Sequence, residues 1–374
     1  MKISKLGKVG LVAAVSVAIA IPTFSTATAA SKFDTAKSAS EAGGMAALRT
    51  QCKREGALNI IATPGDWANY QEIFDGFTAK YGVKINSDNP NGSSQYEVDT
   101  SNSLKGTTRA PDVFDLSAAI GSTNITIFAP YKVQNWDTIP NVGLKDPQGR
   151  LTPNYTGVMM VGYDGDLGTV TKLDDLKGSA FKGTVALNGD PTKANAGLNG
   201  VFMVAIANGG SFNDLSKGVA WFKALKDAGN FINVDPSPAT IASGQTRVVF
   251  DWSYNQKSVI DKFAEAGKTW KTFLPKNASV GAFYEAGISA WAPHPACARA
   301  WMEYLYSPAG QNAWAKGGAS PVLWAKLVKT HLASAEAIKV VGNSTAVPAS
   351  ASLDQATAAL TYLKANWAAA VGTR

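Results

Sequence analysis

Apolar residues along the chain fall alternately into short continuous runs and into stripes at helical spacing. Met45 to Glu55 has a helical pattern stopped by Gly56, and Ala57 to Thr63 is an apolar run ended by Pro64-Gly65, the mark of a buried strand. Trp67, Tyr70, Phe74 and Phe77 then recur at helical spacing across Asp66 to Lys80, with Gly82 just beyond. Strand character resumes from Val83 to Asn86. A polar loop, Asp88 to Ser94, leads into a helix through Tyr96, Val98 and Leu104, and Pro111 introduces a strand through Val113, Phe114 and Leu116. Strand, helix, strand, helix, strand at this spacing predicts βαβ units on a parallel sheet.

The pattern repeats. Gly183 to Asn188 reads as a strand, followed by a helix through Leu198, Phe202 and Ile206, a second helix over Leu215 to Ala228, and a strand–helix junction at Arg247 to Asp251. Two long β-prone segments, Tyr155 to Tyr163 and Gly281 to Trp291, flank this second unit. The chain is therefore expected to cross over, build a second α/β domain and cross back. One lobe would comprise residues 31–160 and 291–374, and the other residues 161–290. The largely helical stretch from Pro295 to Val371 would return to the first lobe.

Composition places the chain among soluble globular proteins, with 374 residues, 45% hydrophobic and 17% charged. Its first thirty residues stand apart. Lys2, Lys5 and Lys8 precede an apolar run from Val9 to Ile21, and Ala27-Thr28-Ala29-Ala30 follows. A basic start, a short apolar core and small residues at the end predict a secretory signal peptide cleaved near Ala29 or Ala30. Its apolar run is short for a bilayer span, and no later segment offers about 20 uninterrupted apolar residues. Removing the three lysines lowers the formal net charge from +7 to +4. With no block of consecutive Lys or Arg, nucleic acid is not an expected partner. The two cysteines, Cys52 and Cys297, leave a bridge and two buried thiols equally open in an oxidising compartment. Two histidines and no closely spaced Cys pair argue against a zinc site.

Several segments in order carry a family resemblance: GDWANY at Gly65–Tyr70, APYKVQNWDTIP at Ala129–Pro140, YTGVMMVGY at Tyr155–Tyr163, VVFDWSYNQ at Val248–Gln256, APHPACARAWMEYLYSPAGQ at Ala292–Gln311 and GGASPV at Gly317–Val322. Together they resemble the solute-binding proteins of bacterial ABC importers, type II periplasmic class, in the branch that groups polyamine-type and ferric-ion-type receptors. The resemblance implies a bilobed α/β fold and a small-molecule solute held between the lobes. It also implies a periplasmic, monomeric receptor without a cofactor, and an ABC permease in the cytoplasmic membrane as partner.

In open α/β sheets, ligands bind beyond the carboxyl ends of strands. Asp66 and Trp67 follow the first strand, Ser93 and Ser94 the second, and Asp251, Trp252 and Tyr254 a later one. Tyr284 and Glu285 lie in the returning segment. Asp66 also suits a helix N-cap, and Asp190 a turn before Pro191. Asp251 stands out, because an acid directly after Val-Val-Phe is costly to bury without a partner. A carboxylate beside Trp and Tyr rings suits an ammonium group, which points to a polyamine or a zwitterionic amine. Ferric ion is the alternative within the resemblance, but such receptors use adjacent tyrosines and no Tyr-Tyr pair occurs here. A phosphonate or carboxylate anion is a further alternative, since Ser93, Ser94 and Thr192 lie near predicted helix starts. A secreted enzyme finds no support in G-x-S-x-G or H-E-x-x-H, both missing.

Overall fold

The computed structural model describes residues 31–343 and 347–373, so the expected signal peptide lies outside the described residues. A short helix, α1 (Lys32–Thr35), precedes α2 (Met45–Glu55), which ends where Gly56 adopts a φ of 76°. Glycine takes that left-handed position without a Cβ penalty. β1 (Ala57–Ile61), α3 (Tyr70–Tyr81), β2 (Lys84–Asp88), α4 (Ser94–Ser103) and β3 (Val113–Ser117) follow in the predicted alternation. α3 starts later than its apolar stripe suggests. Ala68 and Asn69 have φ values of 46° and 63°, which is turn geometry and keeps Asp66 and Trp67 off the helix. α4 is capped by Ser93, whose Oγ accepts from the Tyr96 amide.

Next come α5 (Ala118–Thr123), β4 (Phe128–Ala129) and the long strand β5 (Thr152–Asp164). The second unit holds β6 (Val185–Leu187), α6 (Asn195–Ala207), α7 (Ser216–Asp227), α8 (Pro238–Ala242), β7 (Val248–Trp252), α9 (Ser253–Glu265) and β8 (Trp270–Phe273). After β9 (Gly281–Ser289) come α10 (Pro295–Leu305), α11 (Pro308–Lys316), β10 (Ser320–Pro321), α12 (Trp324–Lys329), α13 (Ala335–Val341) and α14 (Leu353–Val371). Among the described residues, no helix is long and apolar enough to cross a membrane.

The sheets are mixed rather than parallel throughout. β1 pairs parallel with β2, and β6 with β7, as βαβ units require. β3 departs from the expected pattern: it pairs antiparallel with the returning strand β9, and β9 in turn pairs antiparallel with β5. The entry of β3 is tied to β1 through Asn59, whose carbonyl accepts from the Asp112 amide at 2.9 Å and whose amide donates to Asp112 Oδ2 at 2.6 Å. β5 serves two neighbourhoods. Its first half meets β9 and β10, and its second half, from Met159, meets β7 and β8. It is buried almost end to end, which explains its continuous apolar and small-residue reading.

The helical C-terminal region divides. α10 packs on α2, where Cys52 and Cys297 form a disulfide, and α11 packs on α3. α14 does not stay with them. It contacts α5 but also α7, where the Trp367 ring sits 5.3 Å from Phe222 and 6.2 Å from Phe231 between centroids. Everything after residue 291 is expected in the first lobe, and this terminal helix touches both units. Its buried residues include Leu360, Leu363 and Trp367, and the Trp367 ring partners Phe222 and Phe231 belong to the second unit.

Candidate ligand-binding cleft

A cavity of about 740 Å³ opens where the strand ends converge. The loops after β1 and β2 form one wall, and the ends of β6 and β7 with the starts of α6 and α9 form the other. Polar contacts cross it. Lys262 on α9 makes an ion pair with Asp66 at 2.7 Å, the Gln95 amide donates to the Lys193 carbonyl at 3.1 Å, and Ser117 Oγ donates to Asn195 Oδ1 at 3.3 Å. Of the residues singled out in the sequence, Asp66, Trp67, Ser93, Ser94, Asp251 and Tyr284 line this cavity.

Asp251 is the penultimate residue of β7, whose five residues are all buried. Its Oδ1 accepts from the Trp252 amide at 2.7 Å, and Asn255 Nδ2 donates to both oxygens at 3.1 Å. Asn188 supplies another side-chain hydrogen bond. These donors are neutral amides, and no ion pair among the described residues includes Asp251. Burial outweighs them and pushes its pKa up to about 6.

The opposite wall carries two acids that the sequence reading passed over. Glu97 on α4 accepts from the Asp115 amide at 3.1 Å, and Asp115 on β3 accepts from Asn154 Nδ2 and the Tyr155 hydroxyl, both at 2.6 Å. The Tyr155 hydroxyl accepts in turn from Trp67 Nε1 at 2.7 Å, so the ring at the cleft is tied to the acid behind it. Burial pushes Asp115 up to about 6. It raises Glu97 well above the usual carboxylate range, with the neighbouring Asp115 charge adding to the effect. The signal was present: Val-Phe-Asp-Leu-Ser sets an acid inside an apolar strand, just as Val-Val-Phe-Asp does.

Trp252, Tyr254 and Glu285 are not among the cleft-lining residues. Side chains alternate along a strand, so facing Asp251 to the cavity turns Trp252 away, fully buried. There Trp252 Nε1 donates to the Tyr284 hydroxyl at 3.2 Å. The Tyr254 ring stacks on Trp252 at 6.3 Å and meets Trp67 and Tyr155 edge-on at 5.6 and 5.7 Å. The predicted aromatics therefore do come together, but as a packed bed from which only Trp67 and Tyr284 reach the cavity. The same alternation sends Glu285 to the far face of β9, buried, with Oε1 lacking a hydrogen-bond partner.

Comparison with known proteins adds the following. Residues 121–346, more than half of the chain, match the model of a family described as bacterial extracellular solute-binding protein. No curated protein matches the sequence. Among solved structures, PBP AgtB from A. tumefaciens R10, in complex with agropinic acid, superposes with a TM-score of 0.63 at 14% identity, covering 84% of this chain and 98% of its own. The periplasmic binding protein AfuA from Actinobacillus pleuropneumoniae, with fructose-6-phosphate bound, gives 0.61 at 16% identity over 84% and 98%. A ferric binding protein from Campylobacter jejuni gives 0.59 at 14% identity over 85% and 100%. At these identities the likeness establishes the fold, that of the type II periplasmic binding proteins.

Proposed function

The chain belongs to the bacterial extracellular solute-binding proteins, and from that premise we propose that it captures a small amine-bearing solute, a polyamine or a zwitterionic amine, in the cleft. It then presents the closed form to an ABC permease in the cytoplasmic membrane. In this reading the signal peptide directs the protein to the periplasm, where it acts as a receptor rather than a catalyst. Residues 31–160 and the helices from 291 to 341 form one lobe, residues 161–290 form the other, and α14 spans both. The halves of β5 and β9 act as the two crossing segments.

One observation carries the amine reading: three buried carboxyl groups, Asp251 on one wall and Glu97 and Asp115 on the other, line one cleft, and among the described residues none of them is in an ion pair. Buried acids without a counter-charge are unfavourable unless something cationic arrives. An ammonium group between them would form charge-assisted hydrogen bonds, with the Trp67 and Tyr284 rings alongside. Asp66, Ser93 and Ser94 would supply polar contacts at the mouth. Closure would be a hinge motion stabilised by contacts better made in the closed state.

Iron is less well supported. Among the described residues, no group of three or more His, Cys, Asp or Glu could hold a metal ion. A thermal-shift screen of amines, amino acids, phosphonates and ferric chelates tests the reading. A ligand at a hundredfold excess over its Kd stabilises the folded state by about 2.7 kcal/mol. Stabilisation by amines without their consumption is expected. Stabilisation by ferric chelates or simple anions alone would overturn it.

A further inference from the structure

The cleft continues beyond its acidic walls into an apolar annex. One face of α9 runs along it: Asn255, which holds Asp251, comes first, and Val259, Phe263 and Ala266 follow at helical spacing. From Asn255 to Phe263 this face extends about 12 Å away from Asp251. The short helix α8 adds Ile241 and Ala242 to the same cavity. Ile241 and Val259, both half-buried, pack on a small apolar cluster of Val249, Phe263 and Trp270 that stands apart from the main core. Within that cluster the Phe263 and Trp270 rings meet at 4.9 Å. Two polar groups that also line the cavity are already engaged: Ser237 spends its hydroxyl on capping α8, and Lys262 pairs with Asp66. The cavity therefore changes character along one helix, from acid at its start to hydrocarbon further on.

We propose that the solute is an amphiphilic amine, with its ammonium group among Glu97, Asp115 and Asp251 and an apolar arm laid along α9 against Ile241, Val259 and Phe263. The proposal rests on the amine-receptor reading and narrows it. A cavity of about 740 Å³ falls in the range that takes up drug-sized molecules. A short hydrophilic amine would occupy the acidic end and leave apolar side chains facing water. A polyamine would carry a further ammonium group against Ile241 and Val259, whose side chains offer no acceptor for its hydrogen bonds. A zwitterionic amine fits where both charges sit at one end of the molecule and the other end is hydrocarbon.

Calorimetry on the full chain tests this with the n-alkylamines from ethylamine to octylamine, and with terminal diamines and n-alkanols of matching length. Each methylene buried in the annex is expected to tighten amine binding about fourfold, until the arm fills the space. The heat-capacity change should become more negative at each step, the mark of apolar burial. A diamine should bind more weakly than the monoamine of equal length. Ile241→Ser removes hydrocarbon from the annex and should flatten the gain per methylene. Val259→Thr keeps the shape of its side chain, should reduce the same gain, and serves if the first variant does not fold. Amine affinities independent of chain length, or diamines binding as tightly as the matched monoamines, would overturn the apolar arm while leaving the amine receptor standing. So would a gain per methylene untouched in both variants. Alkanols binding as tightly as the amines, or failure of every amine in the series to bind, would overturn the amine reading and this proposal with it.

Discussion

Replacing Asp251 by Asn keeps the shape of the side chain and removes its charge, and the structure assigns opposite consequences to stability and to binding. Asp251 is 8% exposed, and its pKa stands at about 6 against an ordinary 3.8. Between those values the folded protein holds a proton that the unfolded chain has released. The stability contributed by this group is therefore fully present below about pH 4 and is lost as pH rises through 6. Two units correspond to roughly 3 kcal/mol at most. Asn carries no such penalty, but its Nδ2 would face the donors of Asn188 and Asn255, which costs about 1 kcal/mol per lost hydrogen bond. The apo variant should therefore be about 1–2 kcal/mol more stable than the parent at pH 7. Comparing urea melts at pH 4 and pH 7 isolates the ionisation, because the hydrogen-bond loss is the same at both. Binding moves the other way: loss of a charged hydrogen bond to an ammonium group costs about 1.5–3 kcal/mol, roughly ten- to a hundredfold in Kd. Parent affinity should also weaken below about pH 6, where binding must first expel a proton, and the variant should lose much of that slope. An Asn variant that folds and binds the best amine from the screen as tightly as the parent would refute the role given to Asp251, and the amine argument with it.

Other outcomes follow from the packing. Converting both Cys52 and Cys297 to Ser should lower unfolding stability by about 2–5 kcal/mol in urea, since the bridge ties α2 to α10 across most of the chain; an unchanged midpoint would contradict this. Trp367→Ala should cost about 3–5 kcal/mol by leaving a hole between α14 and the rings of Phe222 and Phe231; a loss under about 1 kcal/mol would mean that α14 is not anchored there. Lys262→Ala breaks the contact with Asp66, but at 50% and 38% side-chain exposure the pair should change stability by less than about 1 kcal/mol. Its effect should instead appear in the ligand dissociation rate measured by stopped-flow. Gly157→Ala would bring a Cβ within 2.7 Å of the Tyr254 ring and should disturb the aromatic bed, visible in near-UV circular dichroism; an unaltered spectrum would place that ring elsewhere.

What could be read in the sequence was local, and what could not was remote. The helix Met45–Glu55 is bounded as its stripe and Gly56 indicate, because a left-handed glycine stops a helix whatever surrounds it. β3 misled the reading for the opposite reason. Its partner β9 arrives far later in the chain, and nothing within Val-Phe-Asp-Leu-Ser reveals that an antiparallel neighbour will take the place of a parallel one. Asp251 was legible because an acid in an apolar strand needs a reason, and Asp115 carried the same mark unread. Trp252 turns away from the cavity because it follows Asp251 in a strand of period two, and Tyr254 already belongs to α9, a boundary that the run of aromatics does not reveal.

The strand order also bears on how the chain acquires its shape. Among the described residues β3 has no sheet partner except β9, and the first half of β5 pairs with β9 and β10. A chain read out from its amino end therefore carries unpaired strand edges until residues near 289 emerge, and the link from Cys52 waits for Cys297. Such remote closures are slow, because the entropy of a long loop must be overcome before any contact offsets it. Folding of the first hundred residues should thus remain provisional until the return strand docks, which leaves an incomplete chain open to chaperones and to threading through a narrow pore. Completion then comes late, when β9 inserts between β3 and the first half of β5 and joins β3 to the sheet that β5 continues into the second unit.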